Sequence, residues 1–457
     1  MSITVPIALF GWIPLVLGLF WLLPPRRAVV TAFLIGWLFL PMAGYKLEGL
    51  PSYDKFSVIG LAVFLGLVLF DFRRLTGLRV HWVDLPMAIW CICPMFSCLT
   101  SGLTTYDAVS AMLTQIIVWG LPYVIGRAYF SDLPGLHELA VGIFIAGLVY
   151  VPLCLYEIRM SPQLHSILYG FHQHDWGQSK RYGGWRPTVF MQHGLAVAFW
   201  MTSAAVAGLW LVGAKVVRHV CNLPAKWLLA TLLITTILCK SGGALVLLGI
   251  AVAAYLLVRW TRSPVPILCL LLASPLYMAL RSTGLWSGDQ LVAISQQSGL
   301  EERADSLKFR LDSEDVIMRH VWERPLFGWG WTRFTQSEEM GQKDAITDGL
   351  WVWALGRNGF VGLAALTAIF LLPVGLLIRR YPAEEWTQPA VAPAAALAVV
   401  LCLHMIDNLT NGMINPVLIL AAGGLAGMVS AAKSVCWPIS SPHVTAQPIR
   451  SGSARQP

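Results

Sequence analysis

The sequence predicts an all-α fold, a polytopic transmembrane helical bundle of about 12–13 spans with a large periplasmic loop. Three observations predict it. The 457 residues are 56% hydrophobic and only 12% charged, about half the charged fraction of a soluble domain. Apolar stretches near the roughly 20 residues needed to cross a bilayer recur along the whole chain. Basic residues fall on alternate connections between those stretches. Because hydrocarbon offers the backbone no hydrogen-bond partner, spans of this composition form helices.

The stretches run at 6–23, 28–45, 56–71, 85–100, 109–126, 137–156, 189–213, 226–240, 243–259, 264–280, 356–378, 390–406 and 413–432. Arg26-Arg27, Arg73-Arg74, Arg127, Lys215 with Arg218, Arg259 with Arg262, Arg379-Arg380 and Lys433 occupy every second connection. The positive-inside rule makes those connections cytoplasmic. The others, including the long polar loops 157–188 and 281–348, then share the periplasmic face. The formal charge of +8 is largely this flanking Lys and Arg, so it does not point to nucleic acid. Residues 1–436 form the membrane domain, and 437–457 read as a disordered cytoplasmic tail. The N-terminus lacks a basic n-region and reads as a retained first span.

None of the nine cysteines lies in a long polar loop, so no disulfide framework is expected. Cys91-Ile92-Cys93 lacks metal spacing and reads as packing. His172 and His174, two apart in a loop, are a weak metal signal and read as solvated polar groups. No metal or cofactor is expected.

Loop 281–348 is about 65 residues long, a length that is usually functional or disordered. Its Trp, Arg, Gly and carboxylate content argues against disorder. Loop 157–188 delivers Arg181, Arg186 and His193 to the mouth of a span, and the second loop carries Arg310, Arg319 and His320. A guanidinium is a planar fork of donors suited to phosphate oxygens. A single arginine at a span end is explained as well by anchoring in headgroups; the clustering of several on one face favours an anion site. Trp176, Trp185, Trp322, Trp329 and Trp331 fit an interfacial belt or sugar stacking. Asp407, beside His404 at a span end, is an ionisable group at membrane depth and so a functional candidate.

Four segments resemble the O-antigen ligase/O-antigen polymerase superfamily. They are Arg186-Pro187 … Phe190 … His193-Gly194; Lys240-Ser241-Gly242-Gly243; Arg310-Leu311 followed by Pro325-Leu326-Phe327-Gly328-Trp329-Gly330; and Asp348-Gly349-Leu350 … Gly356-Arg357-Asn358-Gly359 … Gly362. The resemblance implies a metal-independent glycosyltransferase of the bacterial inner membrane. Its donor is a polyprenyl-pyrophosphate-linked oligosaccharide, and its acceptor a sugar hydroxyl on another repeat (polymerase) or on lipid A-core (ligase). It further implies pyrophosphate binding by Arg186 and Arg310, supported by Arg181 and Arg319. Asp348 is the expected base or acceptor-orienting group, with His320 and His193 as alternatives. Asp348 and Gly349 stand where the family usually has His and Asn, which tilts the expectation from ligase toward polymerase. A chain-length regulator or other polysaccharide-assembly proteins are expected partners. A transporter or flippase of lipid-linked sugars is the competing class; it requires broken helices and ionisable groups at mid-depth.

Overall fold

The computed structural model describes residues 2–46, 51–181, 183–290, 292–293, 301–332 and 348–430. The tail at 437–457 and two stretches of the second long loop, 294–300 and 333–347, lie outside the described residues.

Each of the thirteen apolar stretches contains a helix, with bounds that differ by up to several residues. In chain order the helices are α1 (Thr4–Leu22), α2 (Pro25–Phe39), α3 (Lys55–Phe70), α4 (Leu85–Thr100), α5 (Thr105–Tyr129, with a π-turn at Ile116–Gly120), α6 (Leu133–Met160), α7 (Gly194–Gly213), α8 (Ala225–Leu238), α9 (Gly242–Thr261) and α10 (Val265–Ser282). After the second long loop come α12 (Leu350–Arg380), α13 (Ala392–Asp407) and α14 (Pro416–Ser430). Among the described residues, eight helices are long and apolar enough to cross a membrane, and four more are shorter but apolar. α2, with Arg26 and Arg27 in its first turn, takes the remaining place. Three two-residue hairpins, β1–β2 (Gly44–Tyr45, Tyr53–Asp54), β3–β4 (Lys180–Arg181, Gly184–Trp185) and β5–β6 (His219–Val220, Leu223–Pro224), are the only described strands.

α7, α13 and α14 form the buried centre, with nearly every side chain of α13 enclosed. Small residues make this possible. Gly423 and Gly427 of α14 lie against Tyr123, Arg127 and Ser131 in and just after α5, and Gly126 of α5 lies against the α14 backbone. Spacing small residues four apart lets helix backbones approach closely where lipid supplies no hydrophobic drive. The outer helices show the opposite pattern: Phe10, Trp21, Trp227, Ile234, Trp260 and Leu272 project outward as an apolar surface.

The connections sort into two faces, in the alternation expected from the basic residues. On one face, Ser2 donates its amide to Tyr169, Met42 to His165 Nε2, and Leu350 to the Asn411 carbonyl. On the other, Arg26 pairs with Asp132, Arg127 with Asp84, and Arg380 donates to the Met428 carbonyl. Both long loops belong to the first face.

Two features were not legible as spans. The long second loop contains a helix, α11 (Glu301–Glu323), whose Leu311, Ile317, Met318 and Val321 are buried. Its charged surface conceals an ordinary 3.6-residue apolar repeat. α12 is broken: Gly359 sits at φ 62, ψ −167. The segment Pro325–Gly330 fills the break. Phe360 and Val361 donate amides to the Pro325 and Leu326 carbonyls, while Trp329 and Gly330 donate to Gly356 and Arg357. A Cβ at Gly328 would stand 2.6 Å from the Gly356 oxygen, so only glycine allows this backbone-to-backbone clamp. The glycine-rich segments on either side are therefore two halves of one structural joint.

Candidate functional site

α11 is held over the loop face by Arg281 at the end of α10. Its guanidinium donates to Glu314 Oε2 (3.0 Å), Asp315 Oδ1 (2.8 Å) and the carbonyls of Leu311, Trp286 and Ser287. Tyr277 adds a hydroxyl donor to Glu314 at 3.2 Å. Every face of this fork is used, which fixes the helix that carries Arg310.

Arg310 donates through Nε to Asp348 Oδ2 at 2.9 Å. Asp348 precedes α12, whose N-cap is Gly349 and has no side-chain cap, so Asp348 is engaged by the arginine and not by the helix end. The 407–412 turn wraps this corner: Trp351 Nε1 donates to Leu409, and a Cβ at Gly349 would stand 2.5 Å from the Leu409 oxygen. An asparagine side chain has no room there. Arg310, Glu314, Asp348, Gly349, Val352, Leu409 and Thr410 line one small cleft.

The first loop ends within electrostatic range of Arg310. Pro187–Met191 is pinned from beneath by buried polar groups: Glu157 accepts amides from Thr188 and Val189 at 2.8 and 2.7 Å, Lys55 Nζ donates to the Phe190 carbonyl at 2.8 Å, and Gln173 donates to Val189 and Met191. Arg186 is thereby buried, its stem lying across Gly194 at the start of α7. Arg181 stays exposed on the β3–β4 hairpin. His193 caps α7, its Nδ1 accepting from Leu195 at 3.0 Å, and its ring lies 4.4 Å from that of His174. Burial, then the charges of His174, Arg186, Arg181 and Arg310, push its imidazolium down to about 3. Those charges act on one ring because both loops converge on it. With Nδ1 committed to the cap, neutral His193 presents an Nε2–H donor rather than a base.

The chain matches no protein-family model and no curated protein.

The structure therefore brings together Arg186, Arg181, His193, Arg310 and Asp348, and separates Arg319 and His320 from them. Arg319 is nine residues from Arg310 on α11, about half a turn round the helix. His320 lies about 15 Å along it, with Nδ1 against the Val316 carbonyl and its own carbonyl accepting from Trp329. His172 and His174 are partly buried and packed, not solvated. Cys91 and Cys93 are buried in the bundle, as packing requires. Sequence reading missed Glu314, Glu157 and Lys55. Their signal was charge inside or beside apolar runs, which only the contacts turn into roles. Burial holds the Glu314 carboxyl above the ordinary range despite Arg281. Asp407, also buried, accepts from Asn411 Nδ2 at 2.9 Å and lies within electrostatic range of Arg310.

Proposed function

We propose that the protein is a metal-independent membrane glycosyltransferase acting on the periplasmic face of the bacterial inner membrane. It transfers a glycan from polyprenyl pyrophosphate to a sugar hydroxyl, as a polysaccharide or O-antigen polymerase. The observation that carries this reading is that Arg186, Arg181 and Arg310, from two loops, all lie within electrostatic range of His193, while Arg310 also lines a small cleft with Asp348 and Glu314.

The chemistry follows from that arrangement. The acceptor oxygen forms a bond to the anomeric carbon as the bond from that carbon to the pyrophosphate oxygen breaks. Negative charge grows on the departing pyrophosphate, and fixed guanidinium donors stabilise it where it develops. The His193 Nε2–H supplies a neutral donor beside them. The hydroxyl proton passes to a carboxylate. Asp348 is tied to Arg310 by one oxygen; a pyrophosphate that takes over Arg310 frees that oxygen toward the acceptor. Donor binding would then switch on the acceptor-orienting group. Glu314, held by Arg281 and Tyr277, is the second carboxylate at this edge.

Arg186→Lys and Arg310→Lys test the reading in proteoliposomes supplied with lipid-linked repeats alone. Lysine keeps the charge and loses the fork. Loss of polymer with normal insertion supports the reading, and near-normal polymer length and yield in both variants would sink it. Polymer formed without lipid A-core selects polymerase; a strict requirement for lipid A-core selects ligase.

One observation favours the competing class. The break in α12 at Gly359 is a discontinuity of the kind that transporters use at binding sites. Against it, the break is filled by Pro325–Gly330 and its amides are bonded. Movement of a lipid-linked sugar between leaflets of empty-acceptor proteoliposomes, without glycan transfer, would select the transporter.

A further inference from the structure

Arg324 and Arg357 stand apart from the site above. Arg324, one residue beyond α11, lays its guanidinium 4.5 Å over the Trp329 ring and donates from Nη1 to the Thr100 carbonyl at 3.1 Å. Arg357 lies 4.8 Å over the Trp353 ring. Its Nε is buried without a hydrogen-bond partner. Trp329 and Gly330 bond to the carbonyls of Gly356 and Arg357, and a Cβ at Gly330 would meet the Ser97–Cys98 backbone at 3.1 Å. Both arginines are therefore gathered at the last turn of α4.

Neither is ion-paired to a carboxylate among the described residues, whereas Arg26, Arg74, Arg127, Arg281 and Arg310 all are. Stacking on tryptophan occupies the face of a guanidinium and leaves edge N–H donors to point elsewhere. Leaving a charged donor buried and unsatisfied is costly, so an anion from outside the chain would stabilise this arrangement. Arg357 is seven residues into α12, about 10 Å below its loop-face end, a depth at which an ionisable side chain is a functional candidate. The surrounding side chains Phe96, Leu99, Leu326 and Trp331 are apolar and exposed.

From this geometry we infer a second anion site, for the phosphate of a membrane phospholipid without a compensating cation, of the phosphatidylglycerol class. The two guanidiniums take the phosphodiester and the apolar side chains take the acyl chains. A headgroup ammonium would be repelled by the same arginines, and free phosphate would gain nothing from the apolar rim. The site is independent of the glycosyl-transfer reading.

Native mass spectrometry of the purified, delipidated full chain titrated with phosphatidylglycerol tests it. The wild type should retain this lipid in preference to phosphatidylcholine, and inorganic phosphate should not displace it. The Arg324→Gln/Arg357→Gln variant should bind it about tenfold or more weakly, two charge-assisted hydrogen bonds being lost. Arg262→Gln, on the opposite face, should leave binding unchanged. Equal retention by the double variant overturns the inference. So does equal retention of phosphatidylcholine, which means apolar adhesion, or displacement by inorganic phosphate, which means a free-phosphate site. Should the double variant fail to fold, Arg324→Gln alone, at a partly exposed position, must weaken phosphatidylglycerol severalfold, and unchanged retention there also overturns it.

Discussion

Arg310 and Asp348, 38 residues apart in sequence, meet at 2.9 Å through a single Nε–H donor and a single carboxylate oxygen. This bond ties α11 to the start of α12. On the proposed reading it also joins an anion-binding group to the carboxylate at the acceptor edge of the cleft.

Asp348→Asn is expected to cut polymer formation by about 100-fold or more, the usual range for loss of a positioned proton acceptor. Lipid-linked single repeats should accumulate. Both side chains of the pair are about a third exposed, so its removal should change stability by no more than about 1 kcal/mol. A gel of polymer length beside a thermal melt separates the two effects. Wild-type polymer in this variant removes Asp348 from the mechanism and leaves Glu314.

Arg281→Met should be far more damaging to the structure. It leaves Glu314 buried without its cation, a change of about 3–5 kcal/mol, and unpins α11. Limited proteolysis should cut the second loop faster, and Arg281→Met/Glu314→Leu should recover part of the loss. A single variant as protease-resistant as the wild type would show that α11 is held by its apolar face alone.

His193 gives a pH signature. Its imidazolium is pushed from 6.5 to about 3 on folding, so the unfolded chain binds the extra proton between those values. Stability from this group is full above about 6.5 and falls as the pH drops toward 3. His193→Asn, which retains a capping acceptor, should lose part of the acid-induced fall in melting temperature. With Nδ1 held by the Leu195 amide, His193 acts in the proposed reading as a donor, so the pH–rate profile of the variant should keep its shape. A lost or shifted acidic limb would make His193 the base after all.

Cysteines placed at Gln178 and Lys308, both exposed, should react with an impermeant thiol reagent in intact spheroplasts of a strain expressing a cysteine-free background. A cysteine at Arg218 should react only after lysis. The reverse pattern would invert the assignment of the two faces.

The sequence by itself determined the helical bundle and the sorting of its connections into two faces. Both rest on local quantities: apolar run length against bilayer thickness, and the placement of Lys and Arg between runs. It also marked Arg186, Arg310, His193 and Asp348, because charged groups grouped by loop are visible in one dimension. What it could not separate was proximity from resemblance. Arg319 and His320 look as eligible as Arg310 in a polar loop. Once α11 forms, a 100° turn per residue carries one to the opposite side and the other two turns and more away. The Gly-rich segments around 325–330 and 356–359 read as parts of a site. Tertiary structure makes them a joint, because carbonyls exposed by the break in α12 must be bonded and only a close-packed glycine segment reaches them. Likewise Glu157, Lys55 and Glu314 acquire meaning only from the backbone amides, carbonyl and arginine they meet, since a buried charge is defined by its partner and the partner lies far away in sequence.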